Sequence, residues 1–326
     1  MTELAKLLFA ALTSFVVSLL LGPSIIKVLQ RLKFGQSIRN DGPQSHLKKA
    51  GTPTMGGVLI LFSLIVSLIA VRDFSSEVLW VLFLTLGFGF IGFIDDLIII
   101  VAKRSLGLKA RQKLFAQLVI AGIVVAFLIK SNVSTGQIIP FTNLKLAFPE
   151  FGWGNPLFFL FGLFVLVGGS NAVNLTDGLD GLAAGTMAIA SLFMAGLLLL
   201  QNQTDLAVFA LALAGACFGF TWFNGSPAQV FMGDTGSLAL GGALGGMALF
   251  GQLTLFLPIV GGVFVAETLS VIIQVISFKT TGKRVFRMSP LHHHFELGGM
   301  IEPKIVLRFW MAGVALGVLG ILGFLL

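Results

Sequence analysis

Residues 157–200 read LFFLFGLFVLVGGSNAVNLTDGLDGLAAGTMAIASLFMAGLLLL, two apolar runs joined by the polar stretch NAVNLTDGLDG, Asn171 to Gly181. Each run is about as long as the roughly 20 apolar residues that cross a bilayer as a helix. The join sets Asn171, Asn174, Asp177 and Asp180 at three-residue steps, which brings their side chains near one face of a helix or tight helical turn. A polar loop between two spans explains a single Asp-Gly turn. Four aligned amides and carboxylates beside lipid are costly, and such groups persist where they bind an ion or a substrate.

The same apolar character runs from end to end. Of 326 residues, 56% are hydrophobic and 11% charged, against about a quarter charged in soluble domains, and the mean hydropathy is +0.99. Hydropathy places about ten transmembrane helices, near 4–28, 54–71, 78–95, 114–130, 157–173, 181–200, 205–222, 235–250, 255–278 and 306–326. No segment is left for a soluble domain, so residues 1–326 read as one polytopic domain of an all-α integral membrane protein. The first apolar run lacks a small-residue cleavage site and reads as the first span. Cys217 is the single cysteine, which excludes an intrachain disulfide and a cysteine metal site.

Ten spans put both termini on one side. Lys27, Arg31, Lys33, Arg39, Lys48 and Lys49 lie in or beside the first loop, and Lys103, Arg104, Lys109, Arg111 and Lys113 in the third. Lys279, Lys283, Arg284, Arg287, Lys304 and Arg308 lie in or beside the last long loop. Together they are 17 of the 21 Lys and Arg residues, so that face is cytoplasmic and both termini are outside. Topology therefore explains the net charge of +7, and no nucleic-acid polymer is expected as a partner. On the outer side, QIIPFTNLKLAF holds two short β-prone runs flanking Thr142-Asn143, a small hairpin by pattern. In the ninth span Pro258, Gly261 and Gly262 invite a kink, while Glu267 and Gln274 imply a helix facing an internal groove.

Four further motifs fall on the cytoplasmic face. KKAGTPTMGG, Lys48 to Gly57, offers backbone amides and lysine to a phosphate, or else a topological anchor with a turn. Asp95 and Asp96 are adjacent acids that repel one another unless a cation lies between them; that cation is either a hard metal or one of the basic residues Lys103 to Lys113. NGSPAQVFMGDTGS, Asn224 to Ser237, opens a span with Asp234 between glycines, a helix start that offers free N–H groups to an anion and a carboxylate to its counter-ion. RMSPLHHHFE carries three of the four histidines. Consecutive residues rarely give three ligands to one zinc, so imidazole contacts to phosphate or a solvated basic loop are the readings that remain. This inventory suits magnesium-assisted phosphoryl transfer between a nucleotide-linked substrate and a lipid phosphate.

These motifs, in this order and spacing over the whole chain, resemble the MraY family, the bacterial phospho-N-acetylmuramoyl-pentapeptide transferases of the polyprenyl-phosphate N-acetylhexosamine-1-phosphate transferase superfamily. The HHHFE run favours that branch over sister enzymes that use UDP-N-acetylglucosamine. The resemblance implies transfer of phospho-MurNAc-pentapeptide from UDP-MurNAc-pentapeptide to undecaprenyl phosphate in the bacterial cytoplasmic membrane, with release of UMP and a requirement for Mg2+. It implies that Asp234 ligates magnesium, with Asp95 and Asp96 near the metal and lipid phosphate. Lys49 would neutralise phosphate, with Thr54 in the same motif. Asn171, Asn174, Asp177 and Asp180 would line the nucleotide side of the groove with Asn224 and Phe231, and His292 and His293 would sit near the diphosphate or sugar. Direct attack by the lipid phosphate and an aspartyl intermediate are both compatible with it, and a homodimer is a compatible assembly. A cation-coupled transporter is the contrasting class; its acids would cluster at mid-membrane, where this chain places only Glu267.

Overall fold

The computed structural model describes residues 2–32, 49, 51–72, 74–102, 106–131, 135–149 and 155–326. Lys33, Arg39, Lys48, Lys103 and Arg104, used above to orient the chain, lie outside the described residues. The described chain is mostly helical. Eight helices are long and apolar enough to cross a membrane: α1 (Glu3–Arg31), α3 (Ser76–Ala102), α4 (Ala110–Lys130), α5 (Pro156–Thr176), α6 (Leu182–Leu200), α7 (Thr204–Asn224), α10 (Gly262–Thr281) and α12 (Glu302–Leu325). Two more of the expected spans are helices of different character. α2 (Gly57–Val71) has 15 residues, about 22 Å at 1.5 Å per residue. α8 (Gly233–Phe250) has 18 residues and is buried along nearly its whole length.

α8 is the axis of the bundle. It packs along α3 and α5, with α2 and α6 also against it, while α1 pairs with α7 and α12 with α6. Its sequence, GDTGSLALGGALGGMALF, explains the place: small side chains let neighbouring backbones approach closely, the usual solution for helix contacts without a hydrophobic driving force. The lipid-side surfaces are apolar instead, with Leu4, Leu8, Leu12 and Leu20 exposed on α1 and Leu269, Ile272, Ile273 and Ile276 on α10. That is the inverse of a soluble bundle and fits a multi-pass membrane protein.

The expected kink in the ninth span is a full break. A 3-10 turn at Thr254–Phe256 leads into α9 (Leu257–Val260), with Pro258 in its first turn, and the chain restarts at Gly262 as α10. α10 lines an apolar groove, with Gly262, Val263 and Ala266 facing Met300, Phe309 and Leu316, while Glu267 and Gln274 bond the connection that follows α10. Gln274 Oε1 accepts Val285 N–H and Phe286 N–H, both at 2.9 Å, and its amide donates to Phe286 O. The outer hairpin forms as the pattern predicts: β1 (Gln137–Ile138) pairs antiparallel with β2 (Lys145–Leu146). It is tied to the bundle end by Ile138 N–H to Gln252 O at 3.0 Å and by Thr254 Oγ1 to Gln137 Oε1 at 2.6 Å.

Candidate active site

Asp95 and Asp96 are neighbours on α3, so their side chains diverge by about 100° around the helix and meet different partners. Asp95 Oδ1 turns to the start of α4, where it accepts Leu108 N–H at 2.8 Å and lies 3.2 Å from Lys113 Nζ. Asp96 turns to the start of α8. Its Oδ1 accepts Asp234 N–H at 3.1 Å, and its Oδ2 accepts Thr235 N–H at 2.9 Å and Thr235 Oγ1–H at 2.6 Å. Two of the N–H groups at the α8 start, expected to be free for an anion, are therefore taken by the Asp96 carboxyl, which caps α8 from another helix. Gly233 makes this approach possible: its φ is +72°, and a Cβ there would lie 2.5 Å from Asp96 Oδ2 and 2.8 Å from Thr54 Oγ1.

Asp234 completes the cluster. Its Oδ1 accepts Asn174 Nδ2–H at 2.8 Å, and its Oδ2 is held by the Lys113 ammonium. One carboxylate oxygen from each of Asp95, Asp96 and Asp234 lies within 4.8 Å of the others. Such a set of hard oxygen donors can hold a metal cation. Lys113 bridges two of the three, so neutralisation by a basic residue, the alternative left open by the sequence, is realised at Asp95. In the sequence Lys113 stood among the basic residues Lys103 to Lys113 without being singled out; a lysine in the first turns of α4 runs against the helix dipole, which is the signal it offered.

The four polar residues of the 171–180 stretch separate. α5 continues through Thr176, with Asp177 as its C-cap. Asn174 reaches into the cluster, bonding Asp234 and Ser237 Oγ at 2.9 Å. Asn171 lies one turn away and is occupied in packing α5 on α4, donating to Gln117 Oε1 at 3.0 Å and Val167 O at 2.8 Å. Asp177 makes no side-chain hydrogen bond among the described residues. Burial, then the nearby charges of Asp234, Asp96 and Asp180, push its carboxyl up to about 8. Asp180 closes the turn: its Oδ1 takes the Lys49 ammonium at 2.7 Å and its Oδ2 takes Ala228 N–H at 3.0 Å. Glu302, at the start of α12, accepts both Lys49 Nζ–H at 2.7 Å and Asp180 N–H at 2.6 Å. An acid in a first helical turn is ordinary dipole chemistry, so the sequence held no signal for Glu302.

The stretch preceding α2 forms a clasp with residues 231–232. Pro53 O accepts Phe231 N–H at 2.8 Å, while Gly56 and Gly57 donate to Phe231 O and Met232 O at 2.8 and 2.9 Å. The Gly56 and Gly57 amides, among those expected to serve a phosphate, instead pair the two segments and set buried Thr54 beside Gly233. Asn224 braces the same region, with its Oδ1 accepting Gly181 N–H at 3.0 Å and its amide donating to Val230 O at 2.9 Å. Phe231 remains partly exposed at the clasp.

The three histidines lie on a short helix, α11 (Leu291–Glu296), and do three things. His292 is buried; its N–H points at both Glu267 carboxylate oxygens at 3.2 and 3.3 Å, and its ring Nε2 abuts Gly178 without a hydrogen-bond partner. His293 Nδ1 lies 3.0 Å from Glu296 Oε2, with its ring against His292. His294 Nδ1 accepts Arg287 N–H at 3.1 Å and is structural. The structure thus brings Asp95, Asp96, Asp234 and Asn174 together, with Lys49, Asp180 and His292 around the adjoining turn 177–181.

Residues 78–252 match the family model described as Glycosyl transferase family 4, and residues 49–61 match Phospho-N-acetylmuramoyl-pentapeptide-transferase signature 1. The phospho-N-acetylmuramoyl-pentapeptide-transferase of Bacillus subtilis (strain 168) is 55% identical to this chain over 319 residues, 97% of both. Those of Bacillus pumilus (strain SAFR-032) and Geobacillus thermodenitrificans (strain NG80-2) are 54% and 53% identical over the same share. On these matches the chain belongs to the phospho-N-acetylmuramoyl-pentapeptide-transferase family, within glycosyl transferase family 4.

Proposed function

We propose that this chain transfers phospho-MurNAc-pentapeptide from UDP-MurNAc-pentapeptide to undecaprenyl phosphate, giving lipid I and UMP, the first membrane step of peptidoglycan synthesis. The observation that carries the reading, beside family membership, is the meeting of Asp95, Asp96, Asp234 and Asn174 at one end of the bundle. The ten-span topology, with both termini outside and this end on the cytoplasmic face of the bacterial cytoplasmic membrane, is supported by the skew of Lys and Arg toward the same loops.

In the reaction an oxygen of undecaprenyl phosphate bonds to the sugar-bearing phosphorus, and the bond from that phosphorus to the UMP oxygen breaks. A lipid phosphate is largely dianionic at neutral pH, its second pKa being about 6, and needs little help as a nucleophile. Asp234 and Asp95 would hold a magnesium ion, which would supply charge neutralisation for the diphosphate. Asp96, buried and holding three donors, is poorly placed to attack phosphorus, which supports direct transfer over an aspartyl intermediate. Asn174 orients Asp234. Lys49, Asp180 and Phe231 stand on the donor side, and the unpartnered Nε2 of His292 is directed at the same turn.

The test is UMP release by purified protein with undecaprenyl phosphate and magnesium, with UDP-MurNAc-pentapeptide and UDP-N-acetylglucosamine offered in parallel. Release with the first alone is expected, with loss in chelator and recovery on adding magnesium. Asp234→Asn is expected to lower kcat at least about 100-fold in a folded protein. Release with UDP-N-acetylglucosamine alone would move the chain to a sister activity, and near-normal turnover of the variant would remove Asp234 from the metal site.

A further inference from the structure

One ammonium joins four stretches that are distant in sequence. Lys49, ahead of α2, is held by Asp180 in the α5–α6 turn and by Glu302 at the start of α12, while Asp180 also binds Ala228 in the α7–α8 connection. The three side chains are 19%, 3% and 15% exposed, so this is not a solvated surface pair. Burial draws the Lys49 ammonium down, but its bonds to Asp180 and Glu302 outweigh that and hold it above its ordinary value, so it is charged at neutral pH. An ammonium has three N–H groups. Among the described residues two point at carboxylates, which fixes the direction of the third.

Glu302 does more than complement its own helix. A first-turn acid ordinarily faces the N–H groups of its helix or water. Here a single oxygen, Oε1, receives the Lys49 ammonium and the Asp180 peptide N–H, donors from two other segments. The segment that carries Glu302 also grips the same turn at its other end, where the His292 ring abuts Gly178. Residues 291–302 therefore clasp the 177–181 turn at two points.

We propose that Glu302 is a positioning residue for the nucleotide-linked donor, aiming the Lys49 ammonium and fixing the Asp180 peptide; this rests on the reading of Lys49 and Asp180 as donor-side groups. Glu302 bonds neither Asp95, Asp96, Asp234 nor Lys113 among the described residues, so its effect belongs in donor affinity rather than in the chemical step.

The experiment is steady-state kinetics with UDP-MurNAc-pentapeptide varied at saturating undecaprenyl phosphate, and the converse, for wild type, Glu302→Ala, Glu302→Asp, Glu302→Gln, Lys49→Ala and the Lys49→Ala/Glu302→Ala double variant. Glu302→Ala is expected to raise donor KM about 10-fold or more, with kcat within about 3-fold and lipid KM unchanged. Glu302→Asp keeps the charge but withdraws the oxygen by one methylene, and raises donor KM too. Glu302→Gln keeps an acceptor at that place and returns donor KM to within about 3-fold of wild type. In the double variant the two effects add only in part, since Glu302 acts through the Lys49 ammonium as well as through the Asp180 peptide. Donor KM unchanged in Glu302→Asp and Glu302→Ala, or full additivity with Lys49→Ala, would overturn the proposal. If Glu302→Ala does not fold, the aspartate and glutamine variants decide alone. Unchanged donor KM in Lys49→Ala would instead overturn the underlying reading of Lys49 and the proposal with it.

Discussion

Two adjacent aspartates do different work because a helix turns them about 100° apart: Asp95 meets the Lys113 cation, and Asp96 meets the N–H groups of α8. The chemistry was legible in the sequence as a pair of acids that needed a positive partner. The division of labour was not, because it depends on which neighbouring helices face each side chain. Asp177 shows the same limit: spacing placed it on a polar face, yet its character comes from burial and from Asp234, Asp96 and Asp180. Its carboxyl titrates near 8 when folded and near 3.8 as the unperturbed group. Between those values the folded state holds a proton that the unfolded state has released, so folding stability falls as pH rises from about 4 to 8. In chelator, wild type is expected to lose stability relative to Asp177→Asn between pH 5 and 8, by an amount on the order of a few kcal/mol. Thermal unfolding of both proteins in detergent at the two pH values checks this; parallel pH dependence would show that Asp177 is ionised at neutral pH.

At the scale of elements, periodicity found α8 as a span, but its central place came from its small residues, and its first turn includes Asp234 because the helix begins at Gly233. The break between α9 and α10 was visible in Pro258, Gly261 and Gly262. The helix α11 was not, since six residues are too few for a periodic signal, and its anchor, Glu267, lies on α10. Position relative to other elements also decides what a left-handed glycine is for. Gly233 and Gly282 have similar φ, +72° and +69°, but a Cβ at Gly233 meets Asp96 and Thr54, whereas at Gly282 nothing lies within 4 Å. Alanine at either site carries the conformational cost of about 1–2 kcal/mol. Gly233→Ala should in addition displace the Asp96 carboxylate and lower kcat by at least about 10-fold, while Gly282→Ala should keep wild-type turnover with only a lower Tm. Kinetics and Tm measured on both variants separate backbone strain from site geometry; equal activities would deny Gly233 its part in seating Asp96.

Across the whole molecule, the apolar runs announced a multi-pass bundle, while the meeting of distant loops at one end is a tertiary fact that no local pattern carries. Orientation follows from joining the two. Lys283 belongs to the connection that leads to His292, and His292 abuts Gly178, so the exposed Lys283 lies on the side of the site. Asn143, exposed at the hairpin, lies on the other side, where Gln137 and Lys145 bond to the α8–α9 connection. The positive-inside rule assigns the Lys283 side to the cytoplasm. In a Cys217→Ala background, which removes the buried native thiol, a cysteine in place of Asn143 should react with a membrane-impermeant thiol reagent on intact cells, and one in place of Lys283 only in inverted vesicles. The reverse pattern would place the aspartate cluster on the outer face and deny the proposed topology. Labelling of both from one side would deny α8 its crossing, since the ten-span topology sets five spans, α5, α6, α7, α8 and α10, between the two positions.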